Sequence, residues 1–291
     1  MAPNAACGFW AHGQITVGGE TDALFDLASV TKSFFAVACA RAGLRDERIR
    51  GVPLELMLAH RAGFPAHLPL FAPLVDGARV EVAAAIESAW ASRSGPLPSA
   101  PLYSDVGYLL AGAAVATEVD ELIRTHVPVE EVGSARQMDA SRFLGRAIPT
   151  EHVAWRGGEI RGRVHDENAW ALGGEGACGH AGLFGTVGSV LRFGAFVLEH
   201  LDELDWLVRE REGGTLRAGF DGKSAEGSSA GTVLGPRSFG HLGFTGTSFW
   251  IDPDARIVVA LLTNRVCPTR DNVKIREARP RIHDALASLA R

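Results

Sequence analysis

The sequence predicts an α/β protein of the α+β type, with an antiparallel sheet built from both ends of the chain and flanked by helices. Near the start, residues 15–17 have a weak strand pattern. A long, mainly helical middle follows, and a β-rich hairpin with a closing helix ends the chain. This order favours one sheet with a helical insertion over an alternation of strands and helices. We expect a sheet part at residues 1–28 and 214–291, a mainly helical part at 29–213, and one site between them.

The spacing of apolar residues predicts the helices of the middle region. From Asp26 to Leu44, apolar residues recur near helical spacing, which predicts a long buried helix. The same spacing predicts helices at residues 54–60, 80–92, 106–117 and 191–208.

The rest of the chain is first irregular and then β-rich. Residues 148–185 are rich in glycine and polar side chains and are expected to be irregular. After Gly213, two β-rich runs at 244–251 and 256–263 flank a turn sequence rich in aspartate, which predicts a hairpin. A closing helix is expected at residues 276–289.

Composition and charge exclude several classes of protein. The chain has 291 residues, of which 46% are apolar and 22% charged, and its net charge is −5. These values are typical of globular proteins and argue against disorder or a fibrous fold. Without basic runs, the chain lacks the electrostatic pattern of a protein that binds nucleic acid or an anionic membrane. Lysines are rare, because Lys32, Lys223 and Lys274 are the only ones in the sequence.

The termini and cysteines bear on the cellular compartment. The first residues have no basic segment followed by an apolar one, so we expect no signal peptide and a cytoplasmic location. The longest apolar stretch, residues 106–119, is shorter than the roughly 20 residues that span a bilayer. The four cysteines have neither CxxC nor zinc-site spacing, and we expect buried free thiols.

The first candidate for chemistry is the segment Ser29-Val30-Thr31-Lys32 at the start of the first strong helix. Three residues make nearly one helical turn, so Ser29 and Lys32 share a face. A serine hydroxyl needs a base to become a nucleophile, and a lysine amine serves as one when it is neutral. The start of a helix also presents free N–H groups to a developing oxyanion.

Two further segments carry suitable groups. Tyr103-Ser104-Asp105 precedes an apolar helix; a phenol near an ammonium can shuttle protons, and Ser104 or Asp105 can cap the helix. Residues 240–247, Gly-His-Leu-Gly-Phe-Thr-Gly-Thr, lead into the hairpin. Glycines there let a backbone N–H approach a ligand closely, although a plain strand entry would also contain them.

These three segments, in this order, resemble the SxxK, YxN and KTG-like motifs of the serine β-lactamase and penicillin-binding-protein superfamily. The closer resemblance is to class C β-lactamase-related serine hydrolases, including family VIII carboxylesterases. Residues 58–63, 164–169, 179–184 and 260–265 are also similar to that subgroup. The resemblance covers roughly residues 24–285 and implies a β-lactamase/transpeptidase-like fold.

The resemblance implies a role for each matching residue. Ser29 would be the acylated nucleophile, with Lys32 as its partner and Tyr103 as general base or proton shuttle. His241 would stand at the basic position of the third motif, and Gly243 would complete that motif. The N–H groups of Ser29 and Phe244 would form the oxyanion hole. Whether Lys32 or Tyr103 is the base stays open at this stage.

Three positions depart from the family pattern. Leu242 replaces the usual threonine of the third motif, and His241 replaces lysine and is expected to be partly charged near neutral pH. In penicillin-recognising relatives these two positions help to hold the substrate carboxylate. Asp105 replaces the usual asparagine and adds a negative charge close to Lys32.

We therefore expect a serine hydrolase that acts on small carboxylic esters through an acyl-enzyme, without a cofactor or metal. The alternatives are hydrolysis of a D-amino-acid peptide or β-lactam amide, and a non-catalytic ligand-binding or sensor protein on the same fold. A GxSxG match at residues 227–231 lacks the strand before it and the helix after it, so we interpret it as a loop. His165, Asp166, Glu167 and His180 lack metal-site spacing and are expected to line a pocket or bond to loops.

Overall fold

The computed structural model of the protein describes residues 2–115 and 117–291. The strands of these residues are β1 (Ala5–Ala11), β2 (Gln14–Gly19), β3 (Phe25–Asp26), β4 (Arg48–Ile49), β5 (Val52–Pro53), β6 (Val132–Gly133), β7 (His152–Val153), β8 (Gly158–Glu159), β9 (Phe184–Gly185), β10 (Asp221–Gly222), β11 (Phe239–Leu242), β12 (Ser248–Asp252) and β13 (Ile257–Thr263).

The α-helices of the same residues are α1 (Thr31–Arg41), α2 (Leu54–Leu58), α3 (Ala72–Val75), α4 (Val82–Ala91), α5 (Asp105–Ala114), α6 (Val119–His126), α7 (Ala140–Arg146), α8 (Glu167–Gly173), α9 (Val187–Glu199), α10 (Leu201–Val208) and α11 (Ile275–Ala290). Two short 3₁₀ turns, Ala28–Val30 and Ala154–Arg156, complete the regular structure.

The predicted fold class is confirmed, since both ends of the chain contribute to one antiparallel sheet. The six strands of this sheet follow the order β10-β11-β12-β13-β1-β2. β13 lies inside the sheet and pairs with β12 on one side and β1 on the other. All seven of its residues are buried, because α9 packs on one face of the sheet and α11 on the other. Burial on both faces explains why its sequence, Ile-Val-Val-Ala-Leu-Leu-Thr, is almost continuously apolar.

Alternate residues of β13 enter two different cores. Val258 and Ala260 join the large core that contains α1, α5 and α9. Ile257 and Val259 join a smaller core with Leu286 of α11. This two-residue period is the geometry of a strand, whose successive side chains point to opposite faces.

The prediction was incomplete at the start of the chain. The weak strand at residues 15–17 is part of β2, but β1 was missed. Its sequence, Ala-Ala-Cys-Gly-Phe-Trp-Ala, has two aromatic residues but no β-branched one, so local propensity indicates a strand only weakly. The strand forms because β2 and β13 pair with its two sides. Gly8 is needed there, because a Cβ atom would lie 2.3 Å from the Thr16 carbonyl oxygen.

Several helix predictions also needed correction. The helix predicted at 191–208 starts at Val187 and is divided in two at His200. The helix predicted at 106–117 ends at Ala114, and Ala116 lies outside the described residues. Sequence spacing missed α6 and α7, and α8 lies in the region expected to be irregular.

The hairpin is present as β12 and β13, although residues 244–247 form a loop and not the start of a strand. The four cysteines are free, but Cys39 alone is fully buried, whereas Cys7, Cys178 and Cys267 are partly exposed. Among the described residues, no helix is both long and apolar enough to cross a bilayer.

The close contact between α9 and β13 predicts how substitutions in α9 change the stability of the fold. A Cβ atom on Gly194 would lie 2.4 Å from Cγ1 of Val258, so Gly194→Ala forces the helix away from the sheet. We expect a loss of about 1–3 kcal/mol in the free energy of unfolding, measured with urea. Gly188→Ala in the same helix is the control, because its nearest neighbour is the flexible end of Arg192 at 3.4 Å. An equal gain in stability for both variants would contradict this packing.

Candidate active site

A cavity of about 500 Å³ opens between the end of β11 and the helical part of the chain. Five of the predicted site residues line it directly: Ser29, Tyr103, Asp105, Gly243 and, in the loop after β11, Phe244. Lys32 and His241 are buried close behind its wall. The fold therefore brings together residues from segments that are separated by up to about two hundred positions in the sequence.

Ser29 lies in a tight turn immediately before α1. The long helix predicted from Asp26 begins only at Thr31, because Asp26 belongs to β3 and residues 28–30 form a 3₁₀ turn. Ala28 has a φ of 46°, a left-handed conformation that costs a residue with a Cβ atom about 1 kcal/mol. The buried carboxylate of Asp26 holds this turn by accepting hydrogen bonds from the Ala28 N–H at 2.8 Å and the His165 N–H at 2.7 Å.

Lys32 is fully buried and bonds to three different acceptors. Its Nζ donates to Ser29 Oγ at 2.9 Å, to Asp105 Oδ1 at 2.6 Å and to the His180 carbonyl oxygen at 3.3 Å. An ammonium has three N–H donors, and this arrangement uses all of them. Burial lowers the pKa of Lys32, but Asp105 and Tyr103 outweigh it and the net pKa lies above the ordinary value. Lys32 is therefore an ammonium at neutral pH.

Tyr103 is held over this ammonium by aromatic contacts. Its ring stacks on His60 with a centroid separation of 4.6 Å, and Lys32 Nζ lies 4.9 Å from the centre of the ring. Burial raises the pKa of Tyr103; the Lys32 charge and hydrogen bonding with Lys32 and Ser29 oppose this increase, but the net pKa stays above the ordinary value. The phenol thus lies beside both the nucleophile and a fixed positive charge.

Ser104 and Asp105, the two residues after Tyr103, have different structural roles. Ser104 caps α5, since its Oγ accepts the Gly107 N–H at 3.0 Å, and its own N–H donates to His60 Nδ1 at 2.9 Å. The cap is therefore Ser104, which leaves the carboxylate of Asp105 free to pair with Lys32. His60 was not singled out from sequence; its only signal was its place in a family-like segment.

His241 differs from expectation in its charge. Its Nδ1 lies 2.8 Å from the Leu242 carbonyl oxygen, and burial together with the nearby Lys32 charge lowers its pKa to about 3. The ring is therefore neutral near pH 7, and not partly charged. Since Leu242 is apolar, the two positions supply neither a cation nor a hydroxyl group to the cavity.

The loop after β11 is fastened to the strand before Ser29. Thr245 Oγ1 donates to the Asp26 carbonyl oxygen at 2.7 Å, and Thr247 Oγ1 donates to that of Leu27 at 3.0 Å. Only glycine fits at position 243, where a Cβ atom would lie 2.0 Å from Thr247 Oγ1. Within the described part of the chain, the backbone N–H groups of Ser29 and Phe244 have no hydrogen-bond acceptor. Both residues line the cavity, and their free donors suit a developing oxyanion.

The irregular segment 148–185 supports the site from the other side. His180 Nε2 lies 2.9 Å from Asp166 Oδ1, and Asp166 also caps α8 by accepting the Ala169 N–H. His165 Nε2 lies 2.9 Å from Glu151 Oε2. In the described residues, no group of three or more His, Cys, Asp and Glu side chains is arranged to hold a metal ion. The sequence did not predict the second role of His180, whose backbone carbonyl oxygen accepts a hydrogen bond from Lys32.

The GxSxG match is not a nucleophile elbow. Residues 227–231 lie in the connection between β10 and β11, with neither a strand directly before them nor a helix directly after. The carbonyl oxygen of Ser229 lies 2.6 Å from His283 Nδ1, which ties the segment to α11.

A family model described as Beta-lactamase matches residues 2–283 of the chain. The chain belongs to the Beta-lactamase family. The resemblance seen in the sequence motifs is thereby confirmed. Among curated relatives, an Escherichia coli (strain K12) protein whose name proposes D-alanyl-D-alanine carboxypeptidase activity is 26% identical, over 86% of this chain and 70% of its own. Alignments with Salmonella counterparts span 45% of their length.

Solved structures of the family show the same fold. A beta-lactamase from Mycobacterium bovis is 20% identical, with a TM-score of 0.67 over 99% of this chain and 96% of its own. The D-amino acid amidase from Ochrobactrum anthropi, complexed with D-phenylalanine, is 15% identical, with a TM-score of 0.68 over 99% and 95%. EstCE1, described as a hydrolase with promiscuous acyltransferase activity, is 16% identical, with a TM-score of 0.64 over 96% and 94%.

The neutral histidines lead to a prediction about how the stability of the fold depends on pH. The folded-state pKa values of His241 and His283, about 3 and about 4, lie below the ordinary 6.5, and that of His60 is also lowered. The unfolded chain therefore takes up protons first as the pH falls, and stability present above about pH 6.5 is lost as the pH drops toward these values.

We expect the free energy of unfolding, measured with urea, to be lower at pH 5 than at pH 7. His241→Gln should flatten this dependence even where the variant is less stable at both pH values. The same slope in the variant and the unaltered protein would show that His241 does not contribute.

Proposed function

We propose that this member of the Beta-lactamase family is a serine hydrolase of the SxxK type that forms an acyl-enzyme on Ser29, with small carboxylic esters as its substrates. The observation that carries the proposal is the contact between Ser29 Oγ and Lys32 Nζ at 2.9 Å, beside Tyr103, in a cavity of suitable size. Pockets that bind small molecules have volumes of about 300–1,000 Å³.

The geometry supports a division of roles between Lys32 and Tyr103. Because its pKa is raised beside Asp105, Lys32 is an ammonium and has no lone pair to accept the proton of Ser29. In our proposal, the Lys32–Tyr103 pair first loses one proton to solvent, which leaves Tyr103 as a phenolate that the adjacent ammonium stabilises, and this phenolate accepts the proton of Ser29. Proton exchange from Lys32 to Tyr103 gives the alternative form with a neutral amine as base, so the two groups titrate as a pair.

The proposed reaction has two acyl-transfer steps. Ser29 Oγ attacks the ester carbonyl, and the N–H groups of Ser29 and Phe244 bind the oxyanion. When the tetrahedral intermediate collapses, the bond to the alcohol breaks and Tyr103 returns the proton to the leaving oxygen. A water molecule then attacks the acyl-enzyme with Tyr103 again as base, which releases the acid and restores Ser29.

Esters are favoured over amides because an ester carbonyl has less resonance stabilisation and an alkoxide leaves more readily than an unprotonated amide nitrogen. Neutral His241 and apolar Leu242 supply no charge or hydroxyl group of the kind that would assist a more demanding amide or β-lactam. Amide hydrolysis is the second candidate, since solved relatives include a D-amino acid amidase and a beta-lactamase. EstCE1, a hydrolase with acyltransferase activity, supports acyl transfer as the shared chemistry.

Replacing the proposed nucleophile tests the reaction directly. With p-nitrophenyl acetate, we expect steady release of nitrophenol from the unaltered protein and none above background from Ser29→Ala. Ser229→Ala, which alters the serine of the GxSxG match, should keep full activity. Intact mass spectrometry adds a second readout: an acyl adduct that persists without turnover would favour the sensor alternative, and loss of activity in Ser229→Ala alone would refute the assignment.

Replacing Asp105 tests the proton chemistry. Removing its negative charge makes proton loss from the Lys32–Tyr103 pair easier, so the pKa of the pair falls. The ascending limb of the pH profile of kcat/KM should then move to lower pH in Asp105→Asn, by on the order of one unit or more. Asp105→Glu keeps the charge and should keep the limb near its original position. A limb that stays in place or moves to higher pH in Asp105→Asn would contradict this role.

A further inference from the structure

The segment 65–71, between α2 and α3, borders the cavity and is fastened at both of its ends. At the first end, the carbonyl oxygen of Pro65 accepts a hydrogen bond from Ser104 Oγ at 2.6 Å. The carbonyl oxygen of Ala66 accepts one from the Asp105 N–H at 2.9 Å. Both bonds attach the segment to the start of α5, so it begins directly beside the groups to which the proton chemistry is assigned.

At the other end, a single buried side chain holds the backbone of the segment. Asn168 of α8 donates from Nδ2 to the Leu68 carbonyl oxygen at 2.7 Å, and its Oδ1 accepts the Phe71 N–H at 3.1 Å. The Asn168 side chain is buried, with 3% of the residue exposed. An amide side chain offers a donor and an acceptor side by side, so it can bind a backbone carbonyl and a backbone N–H together. Asn168 thereby fixes the backbone at Phe71.

The ring of Phe71 is supported by a row of aromatic side chains. It stacks on Trp155, with a centroid separation of 5.7 Å and an angle of 10° between the rings, and Trp155 contacts Trp170 at 5.9 Å. The guanidinium of Arg156 lies 4.2 Å from the centre of the Trp170 ring and donates to two backbone carbonyl oxygens. Phe71 lines the cavity and Trp155 does not, so Trp155 supports the Phe71 ring from outside the cavity.

The cavity beside Phe71 is suited to a flat apolar group. Its lining also contains two further rings and three aliphatic side chains: Tyr103, Phe244, Leu242, Val273 and Ile275. Aromatic rings gain more from contact with another ring, offset-stacked or edge-to-face, than from burial of the same area alone. Because Asn168 and Trp155 hold Phe71 in place before a ligand arrives, little conformational freedom is lost when the ligand binds. A ligand ring that contacts Phe71 extends the aromatic row into the cavity.

We propose that Phe71 is a specificity-determining residue, which selects ester or amide substrates that carry an aryl group, and that Asn168 is the positioning residue that holds it. The proposal rests on the proposed hydrolase function for the reaction itself. It adds to that function the class of substrate that the cavity prefers.

A binding experiment tests the preference without requiring turnover. 4-Phenyl-2-butanone and 4-cyclohexyl-2-butanone have the same chain and contain no bond that a hydrolase cleaves, but only the first has an aromatic ring. Because the cyclohexyl ring is the more apolar of the two, burial alone favours the cyclohexyl compound. By isothermal titration calorimetry, we expect the phenyl compound to bind at least about threefold more tightly, owing to its contact with the Phe71 ring.

Two matched variants assign the preference to Phe71. Phe71→Leu keeps an apolar side chain but removes the ring, and we expect it to abolish the preference. Phe196→Leu is the control and should keep it, because Phe196 is also half-buried but lies on α9 and does not line the cavity.

Equal affinity for the two ketones, tighter binding of the cyclohexyl compound, or no detectable binding of either would overturn the proposal. The same holds for a preference that survives in Phe71→Leu or is lost in both variants. None of these results depends on catalysis. A protein that prefers the phenyl ketone but hydrolyses no ester keeps the aryl site and loses the hydrolase function, so the two failures are distinguishable.

Two matched pairs of esters then test selection during turnover, with acid release followed in a pH-stat. Ethyl 3-phenylpropionate and ethyl 3-cyclohexylpropionate differ in the acyl group, whereas 2-phenylethyl acetate and 2-cyclohexylethyl acetate differ in the alcohol. We expect the unaltered protein to have the higher kcat/KM for the phenyl ester of one pair, which shows the side of the reacting bond that lies against Phe71. Ratios near one for both pairs would show that the ring does not select substrates.

The same ratio tests the positioning role of Asn168. In Asn168→Ala, the ratio of kcat/KM for the phenyl and cyclohexyl esters should fall toward that of Phe71→Leu, because the backbone at Phe71 is no longer fixed. A merely structural role would lower kcat/KM for both esters equally. An unchanged ratio in Asn168→Ala would therefore contradict the positioning role.

Discussion

The ion pair between Lys32 and Asp105 is the interaction around which the candidate site is organised. It joins the first turn of α1 to the first residue of α5, two helices that lie 73 positions apart in the sequence. The same ammonium also binds Ser29 and the backbone of residue 180. Loss of one member of a buried pair leaves an uncompensated charge, at a cost of about 3–5 kcal/mol. The pair therefore positions the nucleophile and, at the same time, ties the irregular segment to the helical core.

The ion pair also affects the charge of the residues around it. A permanent ammonium in the interior discourages further positive charge nearby, and it contributes to keeping His60 and His241 neutral. The positive charge at the cavity surface comes instead from arginines such as Arg276. The buried ammonium orders Ser29 and Asp105, while the positions of His241 and Leu242 stay uncharged.

Local periodicity predicted the features that depend on nearby residues. The spacing of Ser29 and Lys32 indicates that they share a helical face, and the apolar run of β13 with its preceding turn indicates the hairpin. Pairing between distant segments was not accessible in this way. β1 has only weak strand propensity of its own and forms because β13, about 250 residues later in the chain, pairs with it. The joining of Asp105 to Lys32, and of the His180 carbonyl to the same atom, likewise depends on how helices pack.

Charge states were also beyond the reach of sequence. A histidine at position 241 suggests partial charge, and only its burial beside Lys32 shows that it is neutral. A lysine one helical turn from a serine suggests a free amine, and only the buried ion pair with Asp105, which raises the pKa of Lys32, indicates that the proton is retained. The family motifs pointed to both residues, but the surroundings decide which charge each residue carries.

Because the chain contains only three lysines, NMR spectroscopy of protein labelled with ¹³C and ¹⁵N in lysine can follow the Lys32 side chain through a pH titration. Lys32→Met assigns the signal. The account predicts that the Lys32 signal keeps the chemical shift of an ammonium up to at least its ordinary pKa of 10.5. Conversion to the free amine below neutral pH would contradict the central role of the ion pair with Asp105.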